Sequence, residues 1–379
     1  MALNLSNYLL YNNKMLNFFI KMNKIYKENI QSCNMDMCSI FNVIEIVYNG
    51  TAGEQRKSLD ENTNLKTILK MLPKSQVSRK GIFIRNDYIY NETFRNKYES
   101  EIYIDNIPRN ETERKKINNA IQKKFSKWPK DEDCNEDEFF KELLDYNIFL
   151  YIKDESYFNG NWVYPFVPDD TRMKPFYCGN EKVIKIPMMM RQIDTEIYTY
   201  KCEDTKSLFI SLEYENDYKM LVILPDEPCN KQQLILFCEN NLIDDKLDKY
   251  ILKLRLNNYK AILMPKFNIE SEWDFNRYNN DDDDNDDDKT PYLSEILNTE
   301  FMDFSNISKR MKGESETMNL RSISKINNNE IGTKVLTDTL WVVTDGIIRQ
   351  KHLLFIERSF IYMIMDKNNA ITNIGIFVG

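Results

Sequence analysis

The sequence predicts an α+β fold, because helical patterns dominate its first third and strand patterns its second half. Apolar residues recur at helical spacing over residues 7–30. A second helical pattern over 39–48 ends at Asn49-Gly50, which is a C-cap signal. The clearest helical pattern covers 110–127, with Asn110 as its expected N-cap.

The hydrophobic period then changes from 3.6 to 2 residues, which indicates strands. Residues 207–215 alternate, with Leu208, Ile210, Leu212 and Tyr214 expected to point inward. The continuous apolar run over 219–225 predicts a strand buried on both faces. Two further strands are expected around a turn at Asn257-Asn258, and 360–378 predicts a C-terminal hairpin.

Length and charge limit the classes of function. A chain of 379 residues with 42% hydrophobic residues can form two domains or one large one. The net charge of −8 falls to −1 once the seven aspartates of 281–288 are left out, so nothing predicts a nucleic-acid or membrane partner. The acidic run 279–289 lacks the spaced ligands and the glycine of a calcium loop, and we expect a solvated surface loop there.

The cysteines and the N-terminal residues bear on compartment. Seven cysteines without a CxxC spacing favour reduced, packed thiols over a zinc site or a disulfide framework. The N-terminal apolar run is interrupted by Asn12, Asn13 and Lys14, which is a poor signal peptide. A cytoplasmic location is therefore expected, with an extracellular one as the alternative.

Catalytic motifs are missing from the sequence. His352 is the only histidine, and no P-loop, G-x-S-x-G or G-x-G-x-x-G occurs. The chain is therefore not expected to be an enzyme, and nothing in it predicts a metal or another cofactor. A binding or structural role fits the sequence better.

Several separated stretches resemble serpins and follow one another in serpin order. These are "YFNGNWVYPF" (157–166), "KPF" (174–176), "VIKIPMMMR" (183–191), "LEYENDYKMLVILPDE" (212–227), "MPKFNIESEWDF" (264–275) and "EIGT" (330–333). The resemblance implies a single serpin domain over 1–379, with about nine helices, three β-sheets and an exposed reactive-centre loop over 330–354. A monomer is expected.

In that family the loop is bait for a protease. The protease is trapped as a covalent acyl intermediate, and the cut loop enters the central sheet as a new strand. The resemblance makes Glu330, Gly332 and Thr333 the hinge of the loop. It assigns the sheet-opening region to four residues: Trp162, Ser39, Asp154 and Ser322. Asp154 and Ser322 replace the family's asparagine and histidine, so the hydrogen-bond network there must differ.

The residues after the hinge can form a strand. Thr333, Val335, Thr337, Thr339 and Trp341 would share one uncharged face. Inhibitory serpins carry small residues directly after the hinge threonine, whereas this chain has Lys334, Val335 and Leu336. Bulky side chains slow insertion, which keeps open a non-inhibitory serpin that acts as a binding or decoy protein.

The reactive bond is expected at Asp345-Gly346. Its distances from Thr333 and from Phe360 resemble those of poxviral serpins of the cytokine response modifier type, which trap caspases after an aspartate. A caspase or granzyme B pairs such an aspartate with arginines. The alternative bond is Arg349-Gln350, which would suit a trypsin-like serine protease, and Asp345-Gly346 is also an ordinary turn dipeptide.

Overall fold

The computed structural model describes residues 2–26, 29, 31–62, 65–73, 77–128, 139, 148–192, 196–275, 303–311, 321–333 and 353–379. Eight helices lie in this part of the chain: α1 (Ala2–Ile25), α2 (Met37–Gly50), α3 (Gly53–Asn62), α4 (Leu65–Leu69), α5 (Glu92–Tyr98), α6 (Glu111–Lys124), α7 (Lys231–Asn241) and α8 (Lys246–Ile251).

Eighteen strands alternate with these helices in the described residues. They are β1 (Cys33–Asp36), β2 (Val77–Ile84), β3 (Tyr103–Asn106), β4 (Leu150–Tyr157), β5 (Gly160–Asn161), β6 (Val167–Tyr177), β7 (Val183–Gln192), β8 (Glu196–Cys202), β9 (Ser207–Glu213), β10 (Lys219–Pro225), β11 (Arg255–Asn258), β12 (Ala261–Pro265), β13 (Phe267–Asp274), β14 (Arg321–Asn328), β15 (Gly332–Thr333), β16 (Leu353–Phe355), β17 (Phe360–Met365) and β18 (Ile371–Phe377).

The chain divides into two compact units. The first comprises Met1–Met37, Phe158–Asp274 and Arg321–Gly379, and the second comprises Cys38–Tyr157 and Phe275–Leu320. The first unit holds a seven-stranded sheet in the order β1-β18-β17-β10-β9-β8-β11, a four-stranded sheet β16-β12-β7-β6 and a four-stranded sheet β13-β14-β15-β5. The second holds the three-stranded sheet β3-β2-β4.

The seven-stranded sheet is buried at its centre. Every residue of β10 from Met220 to Pro225 is buried, as its unbroken apolar run predicts. The alternation predicted for β9 is wrong in one respect, because Phe209 and Ser211 on its other face are buried too. The predicted hairpin is confirmed: β17 and β18 pair antiparallel from Phe360–Phe377 onward.

The second unit shows how the sequence sets helix ends. The Asn110 side chain accepts a hydrogen bond from the Glu113 backbone at 3.0 Å and caps α6, as predicted. Gly50 ends α2 but is not the left-handed C-cap that its position suggested. A Cβ there would lie 2.6 Å from Ile307 Cδ1, so close packing against this side chain favours glycine.

Other boundaries shift by a few residues. Helix α1 ends at Ile25, not at residue 30, and Asn257-Asn258 belong to β11, so the turn falls at Tyr259-Lys260. The α+β class is confirmed. The single domain over 1–379 stays a prediction, and the acidic run 279–289 lies outside the described residues.

The six described cysteines are free thiols, and all but Cys229 are buried, which agrees with packed reduced thiols. Cys134 lies outside the described residues. No helix of the described chain is long and apolar enough to span a membrane.

Candidate functional site

The short strand β15 lies between β14 and β5 in one sheet. Thr333 pairs antiparallel with Asn328 of β14 on one side and with Gly160 of β5 on the other. The Asn329 side chain accepts the backbone N–H of Ile331 at 3.0 Å, which closes the tight turn between β14 and β15. The predicted hinge therefore begins as a paired strand within the sheet.

Gly332 is the tightest point of this pairing. A Cβ on it would lie 2.1 Å from the Gly160 carbonyl oxygen and 2.7 Å from Asn161 Cα. Both neighbours are backbone atoms, so no side-chain rotation relieves the clash. Glycine is required here by the close approach of β5.

The segment before Gly332 is fixed by the chain that follows β5. The Trp162 backbone N–H donates to Ile331 O at 2.8 Å, and the Phe166 N–H donates to Glu330 O at 2.7 Å. The Trp162 indole N–H donates to Asn329 O at 3.1 Å. Backbone and side chain of this stretch thus satisfy three successive carbonyls of the hinge.

The Glu330 carboxylate is buried and fully engaged. It pairs with Lys266 Nζ at 3.0 Å and accepts the Thr171 hydroxyl at 2.8 Å. Burial by itself would raise the pKa of Glu330, but the hydrogen bonds from Lys266, from its own backbone and from Thr171 outweigh it and lower that pKa. Glu330 therefore stays charged at neutral pH.

The Thr333 side chain continues inward to an aromatic pair. Its hydroxyl lies 2.6 Å from the Tyr214 hydroxyl and 3.2 Å from Asn328 Oδ1. The Tyr214 ring stacks on Trp162 with centroids 4.4 Å apart. Thr333 is only 2% exposed, so its side chain is already buried as the first residue of a strand.

Ser39 and Asp154 are brought together in the second unit. The Ser39 hydroxyl donates to the Asp154 backbone carbonyl at 3.1 Å. Asp154 Oδ2 accepts Asn42 Nδ2 at 3.3 Å and lies 3.5 Å from Lys80 Nζ. A lysine and an asparagine thus stabilise a buried carboxylate at the position where the family has an asparagine.

Ser322 lies on β14 opposite Trp273 of β13, in the sheet that also holds the hinge. Two other serines of this sheet form a network that the sequence did not reveal. The backbone N–H of Asn34 donates to the Ser271 hydroxyl at 2.9 Å, and its side chain donates to the Ser324 hydroxyl. Tyr362 OH donates to Asn34 Oδ1 at 3.1 Å.

The expected reactive bonds, Asp345-Gly346 and Arg349-Gln350, lie outside the described residues, as does His352. The chain is described again from Leu353, where β16 pairs parallel with β12. Within the described ranges, no three His, Cys, Asp or Glu side chains group closely enough to hold a metal ion.

Comparison with known proteins identifies the family. The family model "Serpin (serine protease inhibitor)" matches residues 16–379. The chain belongs to the serpin family. Serpins are typically protease inhibitors and are not enzymes, so membership of this family confirms the expectation that this chain is not an enzyme.

Curated serpins align over part of their length. Alpha-1-antitrypsin 1-5 of Mus musculus is 22% identical over 296 residues, which cover 76% of this chain and 64% of the relative. Alpha-1-antiproteinase of Mus saxicola is 26% identical over 200 residues, which cover 51% of this chain and 44% of that protein. The chain thus spans less than two thirds of these two relatives.

Solved serpin structures match the fold from end to end. Serpin48 of the insect Tenebrio molitor superposes with a TM-score of 0.70 at 17% identity, over 97% of this chain and 98% of that one. The mouse protein-Z dependent protease inhibitor gives a TM-score of 0.69 at 17% identity, over 99% and 98%. At these identities the similarity is one of fold.

The serpin motifs found in the sequence account for only part of the hinge. They include Trp162 and Glu330, Gly332 and Thr333, which the structure brings together where β15 meets β5 and the residues that follow it. They include no signal for Thr171 or for the role of Lys266. These side chains reach the hinge from β6 and from the residue after β12, and no local spacing in the sequence connects those segments.

Proposed function

We propose that this serpin inhibits an Asp-specific protease, a caspase or granzyme B, as a suicide substrate cut at Asp345-Gly346. The observation that supports it is the state of the hinge: Thr333 is buried and paired between β14 and β5. Because β15 is already paired with both neighbouring strands, the cut loop can enter the sheet by lengthening this strand. It does not have to start a new strand pairing.

The chemistry follows from the trapping mechanism of the family. The protease nucleophile attacks the Asp345 carbonyl, the bond to Gly346 breaks, and the amine leaves with a proton. The Asp345 acyl group stays on the enzyme as a thioester for a caspase or an ester for granzyme B. Insertion of residues after Thr333 must then be faster than hydrolysis of this acyl bond.

The aspartate gives the proposal its specificity. A pocket that pairs arginines with a carboxylate rejects an uncharged side chain strongly, because its buried charges would be left unpaired. The proposal that the chain is cytoplasmic goes with an intracellular target such as a caspase. Poxviral serpins of the cytokine response modifier type are the family members it would resemble in action.

The test is a denaturing gel after incubation with caspase-1, caspase-8, granzyme B and trypsin. We expect an adduct of higher mass with one of the first three, which is lost in Asp345→Ala and kept in the matched variant Arg349→Ala. Loss of the adduct only in Arg349→Ala, with trypsin as the trapped enzyme, would move the reactive bond to Arg349-Gln350.

Cleavage without an adduct gives the other outcome. Inhibition is refuted if three results occur together. Every protease cuts the loop, no adduct forms, and the cut protein melts at the same temperature as the intact one. The bulky Val335 and Leu336 after the hinge then explain a non-inhibitory decoy.

A further inference from the structure

The side chain of Asn12 in α1 joins three separate segments of the first unit, and it is fully buried. Its Nδ2 donates to Asp248 Oδ1 of α8 and to the backbone carbonyl of Asn369, each at 2.9 Å. Its Oδ1 accepts the backbone N–H of Ile371 at 3.1 Å. Both amide protons and the carbonyl oxygen are therefore used, and one side chain connects α1 and α8 to the turn between β17 and β18.

Neighbouring residues of α1 support the same junction. The Tyr11 hydroxyl donates to Ile371 O at 2.9 Å. The backbone N–H of Asp244, in the loop before α8, donates to Asn13 Oδ1 at 3.1 Å. Residues 11–13 of α1 thus contact the hairpin turn, helix α8 and the loop that leads into this helix.

Asp248 is the charged member of this junction. Its carboxylate is partly buried and accepts from the neutral amide of Asn12, and no cation of the described residues pairs with it. Burial raises the pKa of Asp248 to about 6, and the charge of Asp245 acts in the same direction, whereas the hydrogen bond from Asn12 opposes them. The folded protein therefore favours the neutral acid, whose carbonyl oxygen can still accept from Asn12.

The charged groups on the other side of the turn compensate one another. Lys219 of β10 donates to the side chain of the turn residue that Asn12 also contacts. Burial lowers the pKa of Lys219, and the nearby carboxylates of Glu213 and Asp366 oppose this shift. Since residues 11–13 of α1 are neutral, Asp248 is left as the uncompensated charge of the junction.

We propose that Asn12 and Asp248 form a pH-sensitive latch, in which protonation of Asp248 strengthens the attachment of α1 and α8 to the turn of the C-terminal hairpin. A carboxyl group whose pKa is raised in the folded state stabilises the fold below its unfolded pKa of about 4, and this contribution is lost as the pH rises through about 6. The latch is therefore tight in mildly acidic surroundings and looser at neutral pH.

The test is hydrogen exchange of the full chain, followed by mass spectrometry in a peptide that contains 366–371. Protection factors correct for the intrinsic pH dependence of exchange and are compared at about pH 5 and pH 7.5. Glu330 stays mostly charged at both values, because its pKa is lowered. A pKa raised from 3.8 to about 6 predicts protection that is about tenfold higher at pH 5.

Two substitutions separate the latch from general effects of pH. In Asp248→Asn the protection should not change between the two pH values, because Asn cannot ionise and its oxygen still accepts from Asn12. Asp245→Asn should reduce the ratio, since Asp245 caps α8 without a side-chain hydrogen bond and contributes only its charge. Asp217→Asn is the matched control, because Asp217 is exposed and also has a positive φ, and it should behave like the unmodified chain.

Thermal melting gives a second readout. Asp248→Asn should melt at a higher temperature than the unmodified chain at pH 7.5, and the difference should be smaller at pH 5. Equal protection of the unmodified chain at both pH values, an unchanged ratio in Asp248→Asn, or a lower melting temperature of this variant at pH 7.5 would each overturn the proposal. Asp345→Ala should keep the full pH dependence, which separates this test from that of protease inhibition.

Discussion

Glu330 shows at the scale of one residue how the hinge is held before any cleavage. Its carboxylate is the acceptor for Lys266 and Thr171, and it lies next to the carbonyl that receives Phe166 N–H. A charged acceptor holds these donors more strongly than a neutral one. The hinge is thus fixed by its own charged side chain, which holds donors from β6 and from the residue after β12.

Replacing Glu330 by glutamine should destabilise the protein at pH 7 by about 1 kcal/mol, since Gln keeps the shape but loses the charge. The pKa of Glu330 is lowered in the folded state, so its contribution is complete above pH about 4.5 and disappears as the pH falls through the folded value. The difference between the two proteins in urea unfolding should therefore vanish in acid.

The matched control is Glu270→Gln. Glu270 pairs with Lys325 at 3.0 Å in the same sheet, but about 60% of both side chains is exposed. An exposed pair of this kind contributes little. Equal effects of the two substitutions at pH 7 would contradict the role given to Glu330.

At the scale of elements, strand β15 depends on the absence of a side chain at one position. Gly332→Ala places a Cβ against backbone atoms of β5, and overpacking against atoms that cannot rotate away costs roughly 1–3 kcal/mol. We expect faster hydrogen exchange of the amides over 329–333, measured by mass spectrometry. Ile331→Ala, at a residue that is 41% exposed, should leave exchange unchanged, and protection kept in Gly332→Ala would refute the steric requirement.

Elements with a strong local signal could be predicted from sequence alone. The Asn110 cap, the apolar run of β10 and the β17–β18 hairpin are examples, because each depends on residues close together in the chain. The burial of both faces of β9 could not be predicted in this way. It depends on elements packed on that face, such as α8, whose Tyr250 ring lies 4.9 Å from the Phe209 ring where the alternating pattern alone indicated solvent.

The candidate site was predictable only where a motif names the residue. The Trp162 and hinge motifs gave the right neighbourhood, whereas Tyr214, Lys266 and Thr171 come from separate segments: the residue after β9, the residue after β12, and β6. No single-sequence pattern connects such residues. The roles of Ser39, Asp154 and Ser322 in sheet opening stay predictions.

At the scale of the whole molecule, the state of the cysteines can be tested directly. Five of the six described thiols are buried, and only Cys229 is partly accessible. Among the described thiols we expect one fast reaction with a thiol reagent in the native protein, at Cys229, and all seven cysteines should react in urea. Cys229→Ser should remove one fast reaction, and fewer than seven thiols in urea would reveal a disulfide.

The seven-stranded sheet joins distant parts of the chain. Strand β1 forms its edge beside β18, where Cys33 pairs with Ile376, and Val378 N–H donates to Ser32 Oγ across 346 residues of sequence. A chain that emerges from the ribosome N-terminus first must keep β1 without its partner until β18 has been synthesised. Contacts of such long range are expected to form slowly.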